Sequence, residues 1–264
     1  MQDFIPKRVF TLLNVKPNEE IYEICITLKD VKGAVSETAK ILSDAHVDLR
    51  TSILFEAVEK DDTGYWTSFI DLSKAVMDIK QIEEELRELD VVQDVKIVKP
   101  EPLIYDVIHF PIMHGESQAT VMSVELFGSL FDEIERILTP SGFAAVLYNA
   151  GKKSGAFIAG LLAKRYGLKG NSLISALIQG TKAIGWGQIV EFNVDEKKPA
   201  GRIKVQMCFE ALLRGQRNEK VCHWTRGFFA GFLGEVIGKS VEAVEVKCGA
   251  AGDEICEFEV KSKI

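Results

Sequence analysis

Four residues in the last quarter of this chain have types that ligate metals or exchange electrons: Cys222, Glu245, Cys248 and Cys256. Three thiols and a carboxylate make a donor set for a structural Zn2+, which takes four N, S or O ligands in a tetrahedron. Cys248 and Cys256 alone would suit a redox pair, because directly opposed strand residues come close enough for a disulfide. Cysteines among apolar neighbours also serve as small buried hydrophobes. A zinc site, a cysteine redox sensor and an inert core all stay open on residue chemistry.

The elements that must position these groups can be read from the spacing. Val244, Val246 and Cys248 alternate with polar residues, as do Cys256, Phe258 and Val260, and period-two alternation marks half-buried strands. The intervening Gly249-Ala250-Ala251-Gly252-Asp253 is turn chemistry. Symmetric pairing about that turn sets Cys248 opposite Cys256, with both thiols on the core face. A helix from Trp224 to Ile237 carries Phe228, Phe229, Phe232, Leu233 and Val236 toward the same face. Cys222 stands just before its first turn, where the helix dipole favours a thiolate. Simple alternation sends Glu245 to the opposite face, so it joins the thiols only through a bulge or a strand twist.

Residues 110–264 resemble the 4-vinyl reductase-type domain. This small-molecule-binding α/β module occurs in the effector domains of phenol- and toluene-responsive transcription activators and is related in fold to trafficking-complex subunits. In those activators a zinc is held by a Cys, then a Glu, then two Cys. Cys222, Glu245, Cys248 and Cys256 follow that order with the family's gaps of 23, 3 and 8. The resemblance implies Zn2+ on these four residues, with Glu245 turned toward it. Phe157, Leu161, Trp186, Phe228 and Phe232 are candidates to line an apolar cavity between sheet and helices, and the resemblance adds weight to such a pocket.

The N-terminal part reads strand, helix, strand, strand, helix, strand. The strands are 21–28, 47–58, 65–72 and 91–98, and the helices 34–45 and 79–89. Both faces of the first strand carry apolar residues, so both are expected to be partly buried. This order is the split βαβ arrangement of ferredoxin-like folds. With Asp30-Val31-Lys32-Gly33 opening straight into a helix, it resembles the ACT domain, a regulatory module that commonly binds amino acids. Gly33 lets the backbone approach a ligand, and N–H groups at a helix start suit a carboxylate. Asp30, Lys32, Gly33 and Ala34 are therefore the candidate ligand residues. The alternative is an ordinary tight turn in a dimerisation module.

Lys99-Pro100-Glu101-Pro102 marks the expected boundary between domains 1–100 and 101–264. His109 and His114 could form a second metal site, but no carboxylate or thiol pattern flanks them and loop histidines are expected. Beyond them the pattern predicts a helix at 124–138, a short strand at 144–148 and a loop at 149–155 opening a helix to 166. A helix at 172–184 and strands at 188–193 and 202–209 follow. Gly151-Lys152-Lys153-Ser154 has Val146 where a phosphate loop needs its first glycine, so those glycines are assigned to close helix packing. Gly185-Trp186-Gly187 precedes a strand instead of following one, which excludes a Rossmann reading.

The chain has 264 residues, is 47% hydrophobic and carries a net charge of -7. That suits two globular domains and opposes a nucleic-acid surface. No apolar run approaches the roughly 20 residues that cross a bilayer. The start lacks a secretory signal, and five cysteines, an odd number, read as reduced and cytoplasmic. The expected fold class is α+β: a ferredoxin-like βαββαβ domain, then an α/β domain whose antiparallel sheet and helices enclose a pocket. The expected function is a non-catalytic small-molecule sensor, homodimeric by its ACT-like domain. It would bind an amino-acid-type ligand and an apolar one, and signal through a protein partner that the sequence does not name. The alternatives are an enzyme related to tetrapyrrole vinyl reductases, for which no dinucleotide fingerprint is present, and the redox sensor.

Overall fold

A computed structural model describes residues 12–13, 18–56, 62–100, 103–195 and 200–262. The chain divides into two compact units, Met1–Thr120 and Val121–Ile264.

The first unit contains β1 (Leu12–Leu13), β2 (Ile21–Lys29), α1 (Ala34–Asp44), β3 (Asp48–Glu56), β4 (Thr63–Asp71), α2 (Ile79–Glu88), β5 (Val92–Val98), β6 (Ile104–Tyr105), β7 (Met113–His114) and β8 (Ser117–Gln118). Its main sheet runs β3-β4-β2-β5, antiparallel throughout, which is the ferredoxin-like order. Ile24, Ile26 and Leu28 of β2 pack with Leu42, Ile82 and Leu86 of the two helices. α2 starts with a capping box, Asp78 accepting from the Lys80 and Gln81 N–H groups while the Gln81 side chain accepts from Asp78 N.

The opposite face of β2 is also covered. Glu23 is fully buried there, and the Val107 N–H donates to its Oε2 at 3.1 Å. Thr67 Oγ1 lies 2.6 Å from His109 Nε2. The segment after Pro100 thus packs with the first unit, and the division falls at Thr120, about twenty residues later than the prolines suggest. Burial pushes the Glu23 carboxyl up to about 7, opposed by the Val107 N–H and reinforced by Asp106.

The second unit contains α3 (Val124–Ile137), α4 (Pro140–Tyr166), α5 (Asn171–Ala183), β9 (Gln188–Asp195), β10 (Ala200–Gln206), α6 (Phe209–Arg214), α7 (His223–Ile237), β11 (Val241–Lys247) and β12 (Cys256–Ser262). Its antiparallel sheet runs β11-β12-β10-β9. The core gathers Ile203, Val205, Phe229, Phe232, Leu233, Val241, Ala243, Phe258 and Val260.

Two expectations fail here. Residues 144–155 are neither strand nor loop but the middle of α4. Thr139 caps that helix through Gly142 N with Pro140 at its first position, and the short apolar run 144–148 has no period of its own. The strand expected to reach Phe209 ends at Gln206: Met207 turns at φ 52° and α6 begins.

The glycines of α4 have the role read from the sequence. A Cβ at Gly151 or Gly155 would sit 2.1 Å from the carbonyl oxygen of Trp224 or Phe228, respectively, on α7. A Cβ at Gly227 or Gly231 would sit 2.1 Å or 1.9 Å from that of Tyr148 or Lys152 on α4. The helices cross backbone to backbone through reciprocal glycines.

Candidate metal centre

The site is assembled at the foot of α7 and at the closed end of the β11–β12 hairpin. Cys222 is the residue immediately before α7, and Cys256 opens β12. Cys248 follows β11 and precedes a single 3₁₀ turn, Gly249–Ala251, that ends at Gly252 with φ 98°.

β11 departs from simple alternation in an instructive way. Its buried residues are Val241, Ala243 and Glu245, whereas Val244 is exposed. Val244 and Val246 are therefore not core-facing as the sequence pattern suggests. Pairing with β12 then slips between Glu245 and Lys247. This bulge adds one residue, so Glu245 and Cys248, three apart, reach the same side. It is the device the alternation argument required.

Cys222, Glu245, Cys248 and Cys256 are all buried, and one ligand atom from each lies within 4.8 Å of the other three. Cys222 Sγ stands 3.8 Å from Cys248 Sγ and 3.9 Å from Cys256 Sγ. Sulfurs bonded to one tetrahedral Zn2+ at about 2.3 Å stand about 3.8 Å apart, so the thiol spacing fits. It is far from a disulfide bond of about 2.05 Å, and all five cysteines are free thiols. Cys222 N donates to Glu245 Oε2 at 2.9 Å, while Oε1 is buried with no hydrogen-bond partner. A buried carboxylate oxygen without a partner is costly, and a cation at the thiols would satisfy it. Backbone amides steady the donors: Gly249 N donates to Cys256 Sγ at 3.3 Å and Cys248 N to Asp253 Oδ2 at 2.8 Å.

The crowding also shapes acidity. Burial pushes the Glu245 carboxyl up to about 9, with contact to Cys248 adding to it. Hydrogen bonding from Cys222 and Cys256 holds the Cys248 thiol well below the ordinary range. The Cys222 thiol, donating to its neighbours, is pushed far up. Burial, with Arg226 and Arg214 nearby, lowers His223 to about 4, so its imidazole is neutral.

Two residues here escape the sequence reading. Cys208 Sγ is buried 3.8 Å from Cys222 Sγ and 3.6 Å from Thr225 Oγ1. Glu210, fully buried, accepts from Trp224 N at 2.9 Å, Thr225 N at 2.8 Å and Thr225 Oγ1 at 2.8 Å. It caps α7 from α6, and burial pushes its carboxyl up to about 8. Reading 202–209 as one strand hid both. A Glu two residues past a Cys, at the end of an apolar run, was the available signal.

The five cavity candidates have other surroundings. Trp186 packs edge-on against Trp224 at 4.8 Å and Phe228 at 5.4 Å, and Phe228 stacks on Phe232 at 6.2 Å. Phe157 is 63% exposed and Leu161 half-buried. At helical spacing the inward aromatics became packed core. A groove of about 520 Å³ lies elsewhere in the unit, bordered by Val205, Met207, Cys208, Leu212, Gly252 and Cys256. In the N-terminal unit a groove of about 280 Å³ is lined by Leu28, Asp30, Val31, Ala34, Val35 and Leu54. Gly33 beside it adopts φ 97° as the residue before α1, and Lys32 is not among the lining residues.

Comparison with known proteins agrees with this dissection. Residues 202–262, which include all four donors, match the family model of the vinyl-4-reductase (V-4-R) domain. The uncharacterized protein MJ0150 of Methanocaldococcus jannaschii is 28% identical over 120 residues, 46% of this chain and 65% of that protein. The chain thus spans just under two thirds of that relative. Among solved structures, the phenol-responsive sensory domain of the transcription activator PoxR with phenol aligns at 19% identity and a TM-score of 0.49, over 56% of this chain and 78% of that one. A vinyl-4-reductase family protein from Methanocaldococcus jannaschii aligns at 22% identity and a TM-score of 0.40, over 55% and 85%. Among the described residues, no helix is long and apolar enough to cross a membrane.

Proposed function

We propose that this chain is a non-catalytic small-molecule sensor whose C-terminal unit is tied together by a structural Zn2+ on Cys222, Glu245, Cys248 and Cys256. The observation that carries the metal reading is the buried, unpartnered Glu245 Oε1 beside three thiols at tetrahedral spacing. When bound, the ion supplies a fixed link between a helix start and both strands of a hairpin. Glu245 orients the site by holding the Cys222 N–H with its other oxygen. Four protein donors leave no open position for substrate, which favours a structural role over a hydrolytic one. The vinyl-4-reductase domain match at 202–262 supports the same reading.

The N-terminal unit serves as the ACT-like regulatory and dimerising module. An amino-acid-type ligand would place its carboxylate at the start of α1, beside Gly33 and Asp30, where a groove and helix N–H groups coincide. In the C-terminal unit the groove bordered by Met207, Leu212 and Cys256 is the candidate place for an apolar ligand. Metal content of purified protein by native mass spectrometry, with Cys222→Ser as control, tests the zinc reading. We expect about one Zn2+ per chain, lost in the variant. A metal-free, folded wild type would refute it. Thermal-shift screening of amino acids and apolar compounds then tests sensing.

A further inference from the structure

We infer that Cys208 is a further ligand of this site, a reserve thiolate that takes the place of Glu245. The inference rests on the reading of Cys222, Cys248 and Cys256 as metal ligands. Cys222 Sγ stands 3.8 Å from Cys208 Sγ, 3.8 Å from Cys248 Sγ and 3.9 Å from Cys256 Sγ. All three separations match the edge of a tetrahedron with bonds of about 2.3 Å, so Cys208 is spaced from Cys222 as its fellow thiols are. Cys208 also touches the Cys256 thiol. An ion seated on the Cys222–Cys256 edge therefore has a choice of further donors: Cys248 with Glu245, or Cys208.

The backbone holds Cys208 in that place. Met207 leaves β10 at φ 52°, a conformation uncommon outside glycine, and Cys208 becomes the residue before α6. Two residues on, Glu210 binds the first amides of α7. Cys208 and Cys222 are thus fixed to each other through one buried carboxylate. Cys208 is 2% exposed and borders the open groove shared with Cys256, so it stands between the buried thiols and solvent. Exchanging a carboxylate for a thiolate makes an all-sulfur site, which suits thiophilic ions such as Zn2+, Cd2+ or Cu+ over harder ones.

Co2+ counts thiolates, because its sulfur-to-metal charge-transfer band grows with each one bound. The reduced wild type, Cys208→Ser, Glu245→Gln and the double variant would be titrated with Co2+, with folding followed by far-UV circular dichroism. Glu245→Gln is expected to keep one ion per chain with charge-transfer intensity about a third above that of Cys208→Ser, four thiolates against three. The double variant is expected to bind at least about 10-fold more weakly than either single one. Glu245→Asp, too short to reach the ion, is expected to behave as Glu245→Gln does and serves if the latter does not fold. Three-thiolate intensity in both Glu245 variants, or affinity indifferent to the added Cys208→Ser, would overturn the role of Cys208. Absence of charge transfer in the wild type would instead refute the zinc reading itself.

Discussion

Replacing Gly231 with alanine puts the helix crossing to a quantitative test. The new methyl would lie 1.9 Å from the Lys152 carbonyl oxygen, 2.7 Å from its carbon and 2.9 Å from its Cα. All three atoms are backbone, so no rotamer change relieves them. Opening the oxygen contact to 3.0 Å parts the helices by about 1.1 Å. That separation also loosens the contacts at Gly151, Gly155 and Gly227. Overpacking of this kind costs about 3 kcal/mol, while alanine regains about 1 kcal/mol of helix propensity over glycine. The net loss is about 2 kcal/mol, or roughly 4–8 °C in the unfolding midpoint for a unit of this size. Gly180→Ala is the matched control: it lies in α5 with nothing within 4 Å of the place its methyl would take. It should gain about 0.5–1 kcal/mol. Thermal and urea unfolding by circular dichroism would read both. If Gly231→Ala is neutral or stabilising while Gly180→Ala behaves as stated, the backbone-to-backbone crossing is wrong.

Further outcomes follow from other groups. Glu210→Ala strands the Trp224 and Thr225 amides in the core and should lower urea stability by about 2–3 kcal/mol, with Glu210→Gln closer to wild type; equal effects would show that capping is not its role. Glu23 has a folded pKa raised to about 7, so its contribution is present at low pH and is lost as pH rises from about 4.5 through 7. Stability of the first unit should fall by about 2 kcal/mol across that window, a figure reduced for partial solvent screening, and Glu23→Gln should flatten the profile; an unchanged slope would reject the assignment. Chelation of the metal should lower the melting midpoint of the second unit by several degrees, with recovery on Zn2+ addition, as expected for a site whose binding energy is folding energy; a midpoint indifferent to chelator speaks against a structural ion.

Much of the architecture was legible because it rests on periodicity. The ferredoxin-like order emerged from β2, β4 and two amphipathic helices whose apolar residues keep strict spacing. The hairpin around Cys248 and Cys256 was visible for the same reason. What escaped depends on breaks in period. The bulge after Glu245 exchanges the inward and outward residues of β11, and local alternation carries no mark of it. The positive φ at Met207 ends β10 early and thereby places Cys208 and Glu210. The α4 run 144–148 is too short to choose between strand and helix, although Thr139-Pro140 announced a helix start. The aromatic residues were correctly seen as inward-facing in Phe228 and Phe232, but inwardness does not distinguish a lining from a filling.

The reciprocal glycines have a mechanical consequence. α4 is 27 residues long, about 40 Å at 1.5 Å per residue. Where side chains interdigitate, one helix can slide past another by repacking rotamers. Where carbonyls of one helix rest in the glycine notches of the other at four points, there is no such compliant layer. α4 and α7 therefore behave as a single stiff beam, with Cys222 at its foot. A change in the coordination of that cysteine would tilt the whole beam, carrying the far end of α4 with it, rather than being absorbed within a turn.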